Sequence, residues 1–204
     1  MSELPSFERF QDAYAGNAPW DIGRLQQPVA EVADKVVGPI LDAGCGTGDA
    51  ALHFAALGHR VTGIDFVAEA IRRAREKAAQ RGLEVDFRVD DALNLEKSEE
   101  RFASVLDCGL FHVFSDDDRR RYVHGLAHVL RPGGRLFLLC FSDEEPGTEG
   151  PRRVSRQELY DAFGNDWEME SLQPARFAVN PKFTEATFSE GGPKAWFAIV
   201  RRRA

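Results

Sequence analysis

Between Val37 and Phe66 the chain reads VGPILDAGCGTGDAALHFAALGHRVTGIDF, and few folds accept that order of residues. Ile40 and Leu41 open a short apolar strand that runs into Asp42 and then into glycines at 44, 46 and 48. Asp49 to Leu57 are good helix formers, Gly58 stops them, and Val61 and Ile64 form a second strand that closes on Asp65. Glycines in a strand-to-helix turn let the main chain take positive φ and approach a ligand with no Cβ in between. The free N–H groups at the start of the new helix favour an anionic or polar ligand group. A carboxylate at the end of the second strand suits a ribose, because it can accept from two neighbouring hydroxyls.

The stretch therefore reads as a nucleoside-cofactor site at the carboxyl edge of a parallel sheet. Spacing separates the cofactors. A dinucleotide fingerprint is G-x-G-x-x-G, whereas Gly44-Cys45-Gly46-Thr47-Gly48 is G-x-G-x-G with Asp42 just ahead. The form D-x-G-x-G-x-G resembles motif I of class I S-adenosylmethionine (SAM) dependent methyltransferases. An NAD-type oxidoreductase on the same architecture is the rival that this spacing disfavours.

The order continues as strand and helix in alternation, the pattern of an open α/β sheet. The segment 6–15 has Phe7, Phe10 and Tyr14 at helical spacing with Ser6 as cap, and a second helix is expected from about Pro28 to Val36. This N-terminal part, residues 1–36, is expected to cap the crevice above the strand ends. After Asp65 a long helix presents Ala70, Ile71, Ala74 and Ala78 on one face, with Gly82 as its stop. Val85, Phe87 and Val89 mark a third strand, and Phe102 to Leu106 a fourth. The aspartates at 116–118 read as the cap and first turn of a helix that reaches Leu130, Arg131-Pro132-Gly133-Gly134 breaks it, and the apolar run from Leu136 to Phe141 suits a central strand. Ser155 caps a last helix, and 168–179 and 194–201 alternate as an antiparallel pair. Residues 142–153 and the acidic clusters at 98–100 and 143–145 read as polar loops, and 180–193 carries no clear pattern.

The resemblance covers nearly the whole chain. It implies a single domain over residues 1–204 with a Rossmann-like fold: a seven-stranded, mostly parallel sheet with helices on both faces. It also implies how SAM is held. Asp42, Gly44, Cys45, Gly46 and Gly48 form the turn, and Asp65 takes the ribose. Asp91 and Ala92 meet the adenine, with Asp90 able to share or take the role of Asp91. Phe66 and Leu93 are placed to sandwich the ring, and main-chain carbonyls of Asp107-Cys108-Gly109 meet the methionine ammonium group. Pro19-Trp20-Asp21-Ile22-Gly23-Arg24 is similar to the W-D-x-G segment of thiopurine and halide/thiol methyltransferases, where the tryptophan borders the substrate. Leu110-Phe111-His112 is instead similar to the Leu-Phe-His of a bacterial relative acting on hydroxybenzoquinone-type phenols, a departure from the halide branch. Trp20, Phe111 and His112 are thus expected on the acceptor side.

His112 has two roles open, a base for a phenol proton or a hydrogen-bonded pocket histidine that positions the acceptor. A base is optional in energetic terms. Aligning a nucleophile with a sulfonium methyl supplies roughly 7–11 kcal/mol, against roughly 3–5 kcal/mol for base assistance. The expected activity is in-line methyl transfer from SAM, giving S-adenosylhomocysteine (SAH), to an O or S nucleophile of a small phenol, hydroxyquinone or thiol. A halide/thiol methyltransferase and a non-catalytic SAM-binding regulator are the alternatives.

Composition excludes several classes. A length of 204 residues suits one domain burying roughly 70% of its unfolded surface. The net charge of −7 opposes general nucleic-acid binding, and no apolar run of about 18 residues offers a membrane span. The polar N-terminus differs from a signal peptide, and three dispersed cysteines without a CxxC pair fit a reducing cytoplasm. Cys45 and Cys108 fall in cofactor-side turns as small residues that fit. His124 and His128 are four apart on one helix but lack a third ligand, so no metal is expected. Arg201 to Arg203 read as a solvated end, and a monomer or homodimer is expected.

Overall fold

A computed structural model describes residues 7–16, 18–184 and 186–204. Seven strands form one sheet in the order β3-β2-β1-β4-β5-β7-β6. Five of them, β1 (Ile40–Ala43), β2 (Val61–Asp65), β3 (Asp86–Val89), β4 (Phe102–Cys108) and β5 (Leu130–Phe141), are mutually parallel. β7 (Lys194–Arg202) runs antiparallel to both β5 and β6 (Trp167–Arg176), as their alternating pattern predicts. The helices are α1 (Phe7–Ala15), α2 (Gln27–Ala30), α3 (Asp49–Ala56), α4 (Ala68–Arg81), α5 (Asp116–Val129) and α6 (Arg156–Ala162).

Strand alternation divides the core between the two faces. Ile40, Leu106, Phe137 and Leu139 point to one side, where Leu52 and Phe54 of α3 and Ile71 and Ala74 of α4 cover them. Leu41, Val105, Leu136 and Leu138 point to the other, against Tyr122 and Leu126 of α5 and Leu159 of α6. Because β1 sits between β2 and β4, the order of strands reverses there, and a crevice opens beyond the carboxyl ends of β1 and β4.

Several expectations change. The helix expected over 28–36 is a single turn, α2, followed by a 3₁₀ turn at Ala33–Lys35. Three β-branched valines in so short a segment give a weak helical nucleus. The cap expected at Ser6 lies outside the described residues. Ser115, rather than an aspartate, caps α5 by accepting from the Asp118 N–H at 3.1 Å. Residues 131–134 interrupt the β4–β5 ladder, which shifts register between the Phe102–Leu130 and Ser104–Arg135 pairs.

The acidic loop at 143–145 is solvated only in part, with Asp143 and Glu144 exposed. Glu145 is buried and accepts main-chain N–H groups of Ser189 at 3.0 Å and Lys194 at 2.8 Å. Asp143 accepts from the Trp196 indole at 3.2 Å. The basic end is engaged too: Arg201 pairs with Glu168 and Glu170, and Arg203 donates to the Trp167 carbonyl at 3.1 Å. No helix among the described residues is long and apolar enough to cross a membrane.

Gly48 tests the close packing of α3 on the sheet. It holds φ +83°, and a Cβ there would lie 2.6 Å from the Phe87 ring and 3.0 Å from Ala74 Cβ. Left-handed strain of about 1–2 kcal/mol and overpacking of about 1–3 kcal/mol add for Gly48→Ala. Chemical denaturation is expected to show a loss of about 2–5 kcal/mol.

Candidate active site

The glycine turn is held from both flanks by buried carboxylates. Gly48 starts α3 without a side chain to cap it. Asp42, in β1, does the capping from a distance: its Oδ2 accepts the Ala51 N–H, in the first turn of the helix, at 3.0 Å. Asp65, at the end of β2, accepts the Gly46 N–H through Oδ2 and the Val67 N–H through Oδ1, each at 2.9 Å. Asp107, at the end of β4, accepts from Leu110 N–H at 2.8 Å and from the Tyr122 hydroxyl at 3.0 Å. Its carboxylate also accepts the Phe111 N–H, so it fastens the turn that follows β4 to α5.

Burial raises all three carboxyls. It carries Asp42 up to about 7, against the Ala51 N–H and with help from the charges of Asp65 and Asp107. It carries Asp107 up to about 6, against N–H groups of Leu110 and Phe111. Asp65 rises for the same reason, opposed by its two N–H partners.

A cleft of about 70 Å³ lies on this turn, bordered by Trp20, Asp42, Gly44, Cys45, Gly46 and Cys108 among others. Six residues that sequence reasoning singled out therefore meet in one place. Trp20 is partly exposed and donates its indole N–H to the Tyr14 hydroxyl at 2.9 Å. That hydroxyl rests on the turn, 2.7 Å from where a Cβ on Gly46 would stand.

Asp91 and Asp90 lie beyond β3 and are exposed. Asp91 caps the 3₁₀ turn Ala92–Lys97 by accepting the Leu93 N–H at 2.9 Å, while Ala92 is buried beneath it. Asp90 accepts the Asp91 N–H at 2.8 Å. Phe66 packs edge-on against Phe10, ring centres 5.5 Å apart, and Leu93 lies against the α5-side core.

Phe111 is a correction. Expected on the acceptor side, it is fully buried, stacked on Phe163 at 5.9 Å with the Arg119 guanidinium 4.4 Å from its ring centre. The 3₁₀ turn Phe111–Val113 sends adjacent side chains different ways, so Phe111 enters the core while His112 meets the end of β5. There the Phe141 N–H donates to His112 Nδ1 at 2.9 Å. With Nδ1 accepting, the neutral ring holds its proton on Nε2. His112 is nearly buried, and burial, then the charges of Arg119 and Arg153, push it down to about 3. Phe141 stands perpendicular to the imidazole at 5.3 Å, and Phe177 lies 5.9 Å away.

The sequence reading passed over a polar clasp on the outer rim. Asp21 accepts from the Thr47 hydroxyl at 2.7 Å and from Arg73 at 2.8 Å. Lys77 reaches Thr47 at 2.6 Å and Asp49 at 2.9 Å. Its one local signal was Asp21 beside Trp20. Of the histidine pair on α5, His124 is exposed, and His128 lies 2.8 Å from the Ser98 carbonyl. Among the described residues no cluster could hold a metal ion.

A parallel sheet with a glycine turn at its reversal point and an acidic residue ending the next strand defines a nucleoside-cofactor enzyme fold. Comparison with known proteins narrows it. A methyltransferase domain family matches residues 40–134. A 2-heptyl-1-hydroxyquinolin-4(1H)-one methyltransferase of Mycobacteroides abscessus is 33% identical over 210 residues, covering 97% of this chain and 90% of the relative. A demethylmenaquinone methyltransferase of Thermus thermophilus is 40% identical over 132 residues, covering 64% of this chain and 59% of its own. A solved structure described for the conversion of a disulfide bond into a thioacetal group during echinomycin biosynthesis superposes with TM-score 0.83 and 36% identity, covering 96% of this chain and 92% of that one. The chain belongs to the SAM-dependent methyltransferases, and SAM, leaving as SAH, is its cofactor.

Asp42 makes stability depend on pH in a stated direction. Its carboxyl titrates near 3.8 in the unfolded chain and near 7 when folded, so between these values the folded state holds a proton the unfolded state has lost. Asp42's contribution to stability is therefore full below about pH 4, is lost as pH rises through about 7, and is level beyond. Asp42→Asn stays neutral and can still accept from Ala51. Urea midpoints measured from pH 4 to 8 are expected to fall less steeply for this variant than for the wild type.

Proposed function

We propose that this methyltransferase acts on a small planar aromatic molecule, transferring the methyl group to an ionisable oxygen of the hydroxyquinolone, hydroxyquinone or phenol kind. SAM supplies a methyl on a sulfonium, an electrophile that needs only an aligned electron pair. The residues present suit that cofactor. The turn Gly44-Cys45-Gly46-Thr47-Gly48 approaches it without side-chain bulk. Asp65 has lone pairs to spare beyond its two N–H partners and accepts the ribose hydroxyls. Asp91 and Ala92 serve the adenine edge with Phe66 beside them. The carbonyls after β4, at Asp107, Cys108 and Gly109, take the ammonium group, and Trp20 borders the methyl.

The observation that carries the acceptor class is the aromatic surround of His112. Phe141 packs on Phe177 at 5.4 Å and on Phe188 at 5.9 Å, and the Arg153 guanidinium lies 5.1 Å from the Phe141 ring centre. Next to it, a Cβ on Gly109 would meet His112 at 3.5 Å and Phe177 at 3.8 Å, so aromatic and imidazole groups crowd the end of β4. An aromatic surround of this kind at the end of β4 suits a flat ring with one polar edge. The near full-length relative named for a hydroxyquinolone supports the same class. A thiol acceptor is the second reading, favoured by the solved structure tied to thioacetal formation.

Two measurements test the proposal. Gly46→Val places branched carbons where the Tyr14 hydroxyl and the cofactor both approach, at φ +54°. Calorimetry is expected to show SAH binding weakened at least about a hundredfold, by clash and by left-handed strain together. Retained affinity would remove the glycine turn from the cofactor site. Labelled SAM, incubated with 1-hydroxyquinolones, hydroxyquinones, phenols, thiols and iodide, is expected to label the oxygen acceptors. Turnover of thiols alone would move the assignment to sulfur, and SAH binding with no turnover would point to a regulator.

A further inference from the structure

His112 is tethered so that only one of its nitrogens is available. Nδ1 accepts the Phe141 N–H at 2.9 Å, which fixes the ring's orientation and its tautomer. Nε2 then carries the proton and has no hydrogen-bond partner among the described residues, and it faces the end of β4, where a Cβ on Gly109 would stand 3.6 Å from it. A ring held in this way has no free lone pair with which to take a proton.

The charges that act on the imidazole are those of Arg119 and Arg153, each with carboxylates acting on it in turn: Glu158 for Arg119, and Glu145 and Glu149 for Arg153. From α5 comes Arg119, buried, whose Nη1 reaches Glu158 of α6 at 3.3 Å while Nε and Nη2 have no hydrogen-bond partner among the described residues. From the loop before α6 comes Arg153, whose guanidinium donates to the main-chain carbonyls of Glu145 and Pro151. The end of β5 and the segment after β6 contribute only the rings of Phe141 and Phe177. Among the described residues no carboxylate bonds to the imidazole. A neutral N–H donor with two guanidinium groups bearing on it is an environment for an anion.

We infer that His112 is the acceptor-orienting hydrogen-bond donor of this enzyme, its Nε2–H holding the acceptor's oxygen as an oxyanion, and that methyl transfer proceeds without a protein base. The inference rests on the oxygen-acceptor reading above and adds a selection rule to it. Acceptors acidic enough to ionise are used, such as N-hydroxyquinolones, hydroxyquinones and activated phenols, and weakly acidic alcohols are refused. The atoms balance without a base. The acceptor gives its proton to solvent, its oxygen electron pair forms the new O–CH₃ bond, and the pair of the broken C–S bond stays on sulfur.

The test uses 4-nitrophenol, whose phenolate has its own visible absorption, bound to the wild-type SAH complex and titrated with base. The bound phenol is expected to ionise at lower pH than the free one. His112→Asn keeps an oxygen for the Phe141 N–H but cannot reach the acceptor. It is expected to abolish the shift and to weaken nitrophenol binding about tenfold to a hundredfold, as for a lost hydrogen bond to a charged group. His112→Gln extends an amide N–H to the position of Nε2 and should restore the shift and keep turnover within about tenfold of wild type. In the wild type alone, the rising limb of kcat/KM against pH should move with the acidity of each phenol in a series.

A limb that stays at one pH for every acceptor and vanishes in His112→Gln would make His112 a base and overturn the inference. So would an unshifted nitrophenol in the wild-type complex, which would leave the residue a purely structural role. A complex that binds SAH yet binds no hydroxyaromatic at any pH would overturn the oxygen-acceptor reading itself, and this inference with it.

Discussion

Three adjacent strands, β2, β1 and β4, carry aspartates at or near their carboxyl ends, and each carboxylate is bonded to the main chain of the turn or helix beyond its strand. Asp65 holds the glycine turn, Asp42 the start of α3, and Asp107 the turn carrying Leu110 and Phe111. Loops at the edge of a parallel sheet must satisfy their N–H groups without a ladder, and a buried carboxylate offers up to four lone pairs for the purpose. The arrangement has a cost, visible in carboxyls raised by burial and, for Asp42 between the other two, by their charges as well. Main-chain geometry across the crevice therefore depends on three carboxylates whose burial is costly, the middle one repelled by its neighbours.

That cost has a use. Unlike the His112 end of the crevice, where Arg119 and Arg153 act, the turn end has an acidic field. SAM carries a sulfonium and an ammonium, both positive, which an acidic field would offset. On the oxygen-acceptor reading proposed above, an ionised acceptor would bring a negative oxygen to the histidine and arginines, so that each partner's charge would offset that of the protein.

The succession of strands and helices is legible because its signals are local. Glycines at alternate positions, an acidic strand end and a period-two pair at 168–179 and 194–201 each specify their own element. The part of the site built on the turn was legible for the same reason. What escaped depends on partners far apart in sequence. Glu145 looked like a loop acid because its donors, Ser189 and Lys194, are more than forty residues away. Asp21 was overshadowed by Trp20, although its carboxylate meets Thr47 and Arg73. Phe111 was misplaced because a 3₁₀ turn separates neighbouring side chains in a way that a three-residue motif does not reveal.

The state of His112 follows from a mismatch in strand length. The β4–β5 ladder ends at the Cys108–Leu139 pair, while β5 continues for two residues to Phe141, paired on its other side with Ala195. Beyond the end of β4 the chain turns through Gly109, and the place a longer β4 would occupy beside Phe141 is taken by the Phe111–Val113 turn. The Phe141 N–H therefore has no strand acceptor on that side and finds His112 Nδ1 instead. An unpaired buried N–H costs as much as a lost hydrogen bond, so the sheet itself demands that Nδ1 accept. Which nitrogen of the histidine bears the proton, and hence what the site can offer an acceptor, is decided by backbone bonding at the edge of the sheet.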